Sequence, residues 1–210
     1  MDTHSPLTQL TAIREHCPDT VTVLAVTKTI EAARIVALLD AGHRHFAENR
    51  VQEAAEKWPA LRKRFSPIEL HLIGALQTNK AKEALALFDV IETLDRAKLL
   101  DAFAKFPALL AGKQFYVQVN TGREPQKAGV LPEQASPFIE QAKALLPVTG
   151  LMCIPPVGLD PMPHFAMLAE LKEKHKLQHL SIGMSGDWQQ AIKAGATHIR
   201  VGSALFGARA

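Results

Sequence analysis

The stretch Val21-Thr22-Val23-Leu24-Ala25-Val26-Thr27-Lys28 decides the reading of this chain. It is an almost unbroken apolar, β-branched run that ends on a lysine. Such a run is the signature of a parallel strand buried on both faces. Lys28 then sits where the strand leaves the sheet at its carboxyl end, the edge at which α/β folds place their ligands. An amine held there and partly desolvated loses proton affinity and becomes a nucleophile suited to a Schiff base with an aldehyde cofactor. Taken alone, a lysine after an apolar strand is more often the strand's polar end reaching water. The rest of the chain changes that balance.

Working outward, strand and helix alternate about eight times. A leading helix near Ser5–His16 precedes the first strand. Glu31–Ala41 carries Ala32, Ile35, Val36 and Leu39 at helical spacing, with Gly42 as its C′ glycine. Short strands are predicted at His45–Ala47, Glu69–Ile73, Val90–Ile91, Gln114–Asn120, Val148–Met152, Leu180–Gly183 and His198–Val201. Helices are predicted between them, including Asn49–Trp58, which Pro59 should stop. Alternation at this spacing, with no linker, means a parallel sheet with right-handed crossovers. Eight units in one domain over residues 1–210 point to a closed (β/α)8 barrel of TIM type. An open doubly wound sheet is the alternative.

Composition narrows the function. Of 210 residues, 47% are hydrophobic, enough for one large core, and the net charge of +3 is small. The densest basic group, Arg62-Lys63-Arg64, has no interleaved aromatics, so nucleic-acid binding is not expected. Cys17 and Cys153 match no metal spacing and suggest a reducing compartment. The start, Met1 to Pro6, lacks the basic and apolar regions of a signal peptide, and no apolar run reaches membrane-spanning length. The expectation is a cytoplasmic monomer with no membrane partner.

In a barrel, the residues that follow each strand converge on one rim. These are Lys28, Glu48-Asn49, Gly74 and Gln77, Thr93, Asn120, Met152, Ser185, and Arg200 to Ser203. Barrels often bind phosphate on the loops after the seventh and eighth strands, together with a short extra helix. Gly183-Met184-Ser185-Gly186-Asp187 and Arg200-Val201-Gly202-Ser203 occupy those places and suit an anion. Asp187 with Gln190 fits a capping box, which would leave the Ser185 hydroxyl free. Asn49 with Gln52 reads by itself as a helix cap, and His71 as a hydrogen-bonded barrel histidine.

Several of these segments resemble the pyridoxal phosphate homeostasis protein family. They include Ala25-Val26-Thr27-Lys28-Thr29, Phe46-Ala47-Glu48-Asn49-Arg50-Val51-Gln52-Glu53 and His71-Leu72-Ile73-Gly74-Ala75-Leu76-Gln77-Thr78-Asn79-Lys80. Gly150-Leu151-Met152, Leu180 to Asp187 and Arg200 to Gly207 follow in order, and Val117 to Asn120 with Lys127 and Gly129 match less well. The resemblance implies a barrel like the alanine racemase N-terminal domain, with pyridoxal 5′-phosphate covalent to Lys28. It implies phosphate contacts from Ser185, Gly202 and Ser203, and Arg200 facing the pyridine nitrogen. The residues expected to hold the cofactor are thus Lys28, Asn49, Met152, Ser185, Arg200, Gly202 and Ser203, with no metal. The family often carries a second lysine two positions after the first, where this chain has Ile30.

An arginine cannot be deprotonated and would keep the pyridine nitrogen neutral, which weakens the cofactor as an electron sink. Racemisation also needs a second acid/base group on the opposite face of the cofactor. In alanine racemases that is a tyrosine supplied by another domain. Tyr116, the only tyrosine of this chain, lies inside the fifth strand and reads as core. The expectation is therefore a non-enzymatic protein of cofactor homeostasis, which buffers pyridoxal phosphate or delivers it to apo-enzymes. The alternative is a weak amino-acid racemase. A class I aldolase-like enzyme is a third reading.

Overall fold

The structure is a computed structural model, and it describes residues 5–207. Eight parallel strands close in sequential order into a barrel: β1 (Thr22–Val26), β2 (His45–Glu48), β3 (Glu69–Leu72), β4 (Val90–Leu94), β5 (Gln114–Gln118), β6 (Val148–Met152), β7 (His179–Ser181) and β8 (His198–Val201). The (β/α)8 barrel is therefore established, and the open sheet falls away. The helices are α1 (Pro6–Arg14), α2 (Ala32–Asp40), α3 (Val51–Arg64), α4 (Ala81–Leu87), α5 (Ala97–Ala104), α6 (Pro132–Lys143), α7 (Met162–Lys174), α8 (Trp188–Lys193) and α9 (Ser203–Phe206). No described helix is long and apolar enough to cross a membrane.

The large apolar core lies between the strands and the helices. On β1, Val23 and Ala25 point into it, while Leu24 and Val26 join a separate small cluster with Ala47 and Ile73. Val90, Tyr116, Met152 and Ile154 form a third cluster. Successive strand residues alternate faces, so the two small clusters fill the barrel's inside. Paired register supports this: Leu24 lies beside Arg200, Ala47 beside His71, and Tyr116 beside Gly150. Gly150 is needed there, because a Cβ would come within 2.8 Å of both Tyr116 Cδ1 and His179 Cβ.

One helix corrects the sequence reading. Pro59 does not stop α3, which continues to Arg64. An interior proline costs about 3 kcal/mol in an isolated helix. Here Val51, Ala54, Trp58 and Leu61 are all buried along one side, on both sides of Pro59. Burying each large apolar side chain contributes about 1.5–3 kcal/mol, so packing outweighs the break.

The interior also holds charge. His71 is fully buried, with Nδ1 2.7 Å from Glu92 Oε1 and Nε2 3.0 Å from Glu69 Oε1. It is the hydrogen-bonded barrel histidine that the sequence suggested. Burial alone would lower its pKa, but the two carboxylates outweigh burial and raise it from 6.5 to about 9. A histidine whose pKa rises on folding contributes stability below its unfolded value and loses it as pH climbs through its folded value. The unfolding free energy should therefore fall between pH 6.5 and about pH 9. The slope should be at most about 1.4 kcal/mol per pH unit. Urea titrations across that range measure it, and His71→Gln should flatten the profile. An equally steep slope in the variant would locate the proton elsewhere.

Candidate functional site

At the carboxyl rim a cavity of about 260 Å³ opens. It is lined by Val26, Lys28, Asn49, Ile73, Ile154, Met184, Ser185, Gly186, Arg200, Gly202 and Ser203. Six of the seven residues singled out in the sequence meet here. They come from loops after β1, β2, β7 and β8 and from β8 itself. Met152 is the exception. It is fully buried among Val90, Tyr116 and Ile154, and the structure does not bring it to the lining. The strand face that carries Met152 packs it into the barrel, and Ile154, two residues later, takes the place at the cavity wall.

Lys28 follows β1 on a tightly specified segment. Thr27 is buried, and its hydroxyl donates to Glu48 Oε1 at 2.7 Å. The same carboxylate oxygen accepts from Lys57 Nζ at 2.9 Å and from the Trp58 indole at 3.0 Å. Lys57 also donates to the Thr27 carbonyl at 2.8 Å and to Glu53 at 3.0 Å. Glu53 in turn accepts the Thr29 backbone N–H at 2.5 Å, and Thr29 takes a φ of 62°. The backbone on either side of Lys28 is thus tied to β2 and α3. Ile30, two positions after Lys28, packs on the core beside it.

Asn49 is not the cap that its spacing with Gln52 suggested. Arg50 occupies the N-cap position of α3, without a side-chain cap bond. Asn49 instead faces the cavity, and its buried Oδ1 has no hydrogen-bond partner among the described residues. The β3 loop presses on this segment: a Cβ on Gly74 would sit 2.1 Å from the Asn49 carbonyl oxygen. Only glycine permits that approach.

The Asp187 reading also changes. Its carboxylate turns back to accept the Met184 N–H at 2.5 Å and makes no side-chain cap bond to α8. The hydroxyl of Ser185 is engaged, accepting the Gly202 N–H at 3.4 Å and the Ala204 N–H at 3.2 Å. Ser185 Oγ therefore stands where an oxygen of a bound anion would meet those two donors.

Arg200 crosses the floor of the cavity almost wholly buried. Its guanidinium donates to Ser181 O at 2.6 Å, to Ser181 Oγ at 2.7 Å and to Cys153 O at 2.7 Å. The Ser181 hydroxyl donates to Glu92 Oε2 at 2.6 Å. Burial would raise the Glu92 carboxyl, but His71, Arg200 and Ser181 together hold it below the usual carboxylate range. Tyr116 lies beneath, 1% exposed, with its pKa pushed up by burial and by the charges of Glu92 and Glu69. Lys127 stays off the cavity and donates to the Pro155 carbonyl at 3.0 Å.

Glu48, Glu53, Lys57 and Trp58 were missed as a positioning set. Helical spacing places Glu53 and Lys57 one turn apart, which was visible in the sequence. Their aim toward Glu48 and the Thr27 carbonyl was not.

Comparison with known proteins agrees with this geometry. The alanine racemase, N-terminal domain family profile matches residues 7–210. A Vibrio cholerae protein named pyridoxal phosphate homeostasis protein is 38% identical over 202 residues, covering 90% of this chain and 86% of that one. A Synechocystis protein of the same name is 39% identical over 210 residues, covering 91% and 93%. The structure of PipY from Synechococcus elongatus with pyridoxal phosphate bound superposes with a TM-score of 0.86 at 37% identity, covering 96% of this chain and all of that one. The chain belongs to the pyridoxal phosphate homeostasis protein family, built on a barrel of the alanine racemase N-terminal domain type.

Proposed function

We propose that this chain binds pyridoxal 5′-phosphate in the rim cavity, holds it covalently through Lys28, and buffers it or hands it to apo-enzymes. The barrel acts in this reading as one cofactor-binding domain. The observation that carries it is the convergence of Lys28, Asn49, Ser185, Arg200, Gly202 and Ser203 on one small cavity. Three details favour this ligand. The backbone donors of Gly202 and Ala204 meet an oxygen supplied for now by Ser185. The orphaned Asn49 Oδ1 faces the same space. Arg200 brings a fixed positive charge to the floor.

Each residue has a distinct task. Gly202, Ser203 and Ser185 take the phosphate through backbone donors and hydroxyls. Lys28 presents its amine, held in place by the Glu48–Lys57 network on the flanking backbone. Ile73 and Ile154 keep water from the ring. When bound, the cofactor offers an aldehyde to amines and a ring that can withdraw electrons. Arg200 restrains the second property, because its guanidinium does not give up a proton to a ring nitrogen. The one tyrosine, Tyr116, is buried in the barrel and does not line the cavity. The arrangement favours holding and release over racemisation.

Lys28→Ala should abolish the aldimine band of the loaded protein, leaving the absorption of unlinked cofactor, together with the borohydride-fixed adduct on the peptide at that position. A phosphate-driven residual affinity should remain, and an unchanged spectrum would remove Lys28 from its role. Ser203→Ala should weaken cofactor binding by roughly 1.5–3 kcal/mol, read as a dissociation constant. An unchanged constant would assign the phosphate to backbone donors alone. Lys57→Met strands the buried Glu48 carboxylate and should lower stability by about 3 kcal/mol in urea. An unchanged midpoint would mean that Thr27 and Trp58 satisfy Glu48 unaided. Finally, the wild type should exchange the α-proton of alanine in heavy water no faster than free cofactor does. Steady enzyme-like exchange would establish the racemase instead.

A further inference from the structure

The opposite, amino-terminal mouth of the barrel carries a second cluster that cofactor binding does not use. Glu69 opens β3 and His198 opens β8, with His71 two residues along β3 on the same face. One ligand atom from each of these three residues lies within 4.8 Å of the other two. Two imidazoles and a carboxylate form a ligand set for zinc and related divalent ions.

The outer partners strengthen the case. A metal-bound histidine usually has its other nitrogen held by a carboxylate, a carbonyl or another polar group, which fixes the ring. His71 Nδ1 is held by Glu92 at 2.7 Å, and His198 Nδ1 by the Thr197 hydroxyl at 2.8 Å. That leaves Nε2 of each ring for the centre of the cluster. His71 Nε2 meets Glu69 Oε1 at 3.0 Å, and His198 Nε2 makes no hydrogen bond among the described residues. A dication replacing the proton between His71 and Glu69 would face two carboxylates, Glu69 and Glu92. Arg200, 3.9 Å from Glu92, the rings of His45 and His179, and Tyr116, whose ring packs against both His71 and His198, are also packed around them.

Donors about 2.0–2.2 Å from a four-coordinate ion lie roughly 3.3–3.6 Å apart. Closing the cluster therefore takes a movement of about an ångström. Glu69 has the freedom to supply it, since its side chain is 34% exposed at the mouth. A fourth position is open to water or to His179, whose ring centroid is 5.2 Å from that of His198.

We propose that Glu69, His71 and His198 form a binding site for a divalent transition ion of the zinc class, at the end of the barrel away from the cofactor cavity. Such an ion would join β3 to β8 across the interior, on the face of the barrel that serves stability. The inference uses none of the residues that line the cavity, so it stands or falls separately from the reading of Lys28.

The test uses the untagged full chain, stripped with chelator and then titrated with Co2+ and Zn2+. One equivalent should bind, with visible Co2+ bands that Zn2+ removes, and Zn2+ should raise the unfolding temperature. Glu69→Gln and His198→Gln should each weaken binding by about tenfold or more, while Lys28→Ala keeps it. Far-UV circular dichroism reports whether each variant folds. If His198→Gln does not, Glu69→Gln at its partly exposed position decides the matter. Absence of binding at millimolar ion would overturn the proposal, as would equal affinity in a folded Glu69→Gln variant.

Discussion

The barrel interior is organised around one fixed positive charge. Arg200 enters from β8 and is almost fully removed from water. A guanidinium in that position is tolerated only when its donors and its charge are both met. Ser181 and Cys153 supply the acceptors, and Glu92 supplies the opposite charge through the Ser181 hydroxyl. His71 also meets Glu92, at 2.7 Å, and the charge that the imidazole adds is met by Glu69 at 3.0 Å. The chain His71–Glu92–Ser181–Arg200 thus spans the barrel from its amino-terminal mouth to the cavity floor. Each member is stable because the next one is present.

A second hub fixes the opposite wall of the cavity. One carboxylate oxygen of Glu48 collects a hydroxyl, an ammonium and an indole N–H, and through Lys57 it grips the carbonyl just before Lys28. The amine is therefore set by backbone placement. The two hubs frame β1, β2 and β8, while the backbone donors of Gly202 and Ala204 rest on the Ser185 hydroxyl. Backbone donors already aimed at one oxygen are preorganised, which lowers the cost of ordering the loop when a ligand binds.

Much of this was legible in the chain. Alternating strand and helix patterns pointed to the barrel ahead of an open sheet, because each period reports a local burial pattern, and the pairing of β1 with β8 closed it. The glycine-rich ends of the seventh and eighth units stood out as a site, and both line the cavity. Errors arose where a local signal met a tertiary competitor. Pro59 reads as a stop, yet the buried face of α3 carries the helix past it. Asn49 and Asp187 read as caps, yet one faces the cavity and the other folds back onto Met184. Met152 follows the rule for a strand end, yet its side chain falls on the inward face.

The amino-acid sequence was enough for the order of elements, the parallel strand–helix alternation and the strand ends at which Lys28, Ser185 and Gly202 stand. These follow from periodicity and from the backbone freedom of particular residues, which are local properties. The tertiary structure alone decided that Glu48 reaches Thr27, Lys57 and Trp58, and that His71, Glu92 and Arg200 form one chain. It likewise brought Glu69 and His198 to the same mouth. Those pairings join residues up to 129 positions apart in the chain, as from Glu69 to His198. Their energies depend on the low-dielectric space that exists only after the barrel has closed.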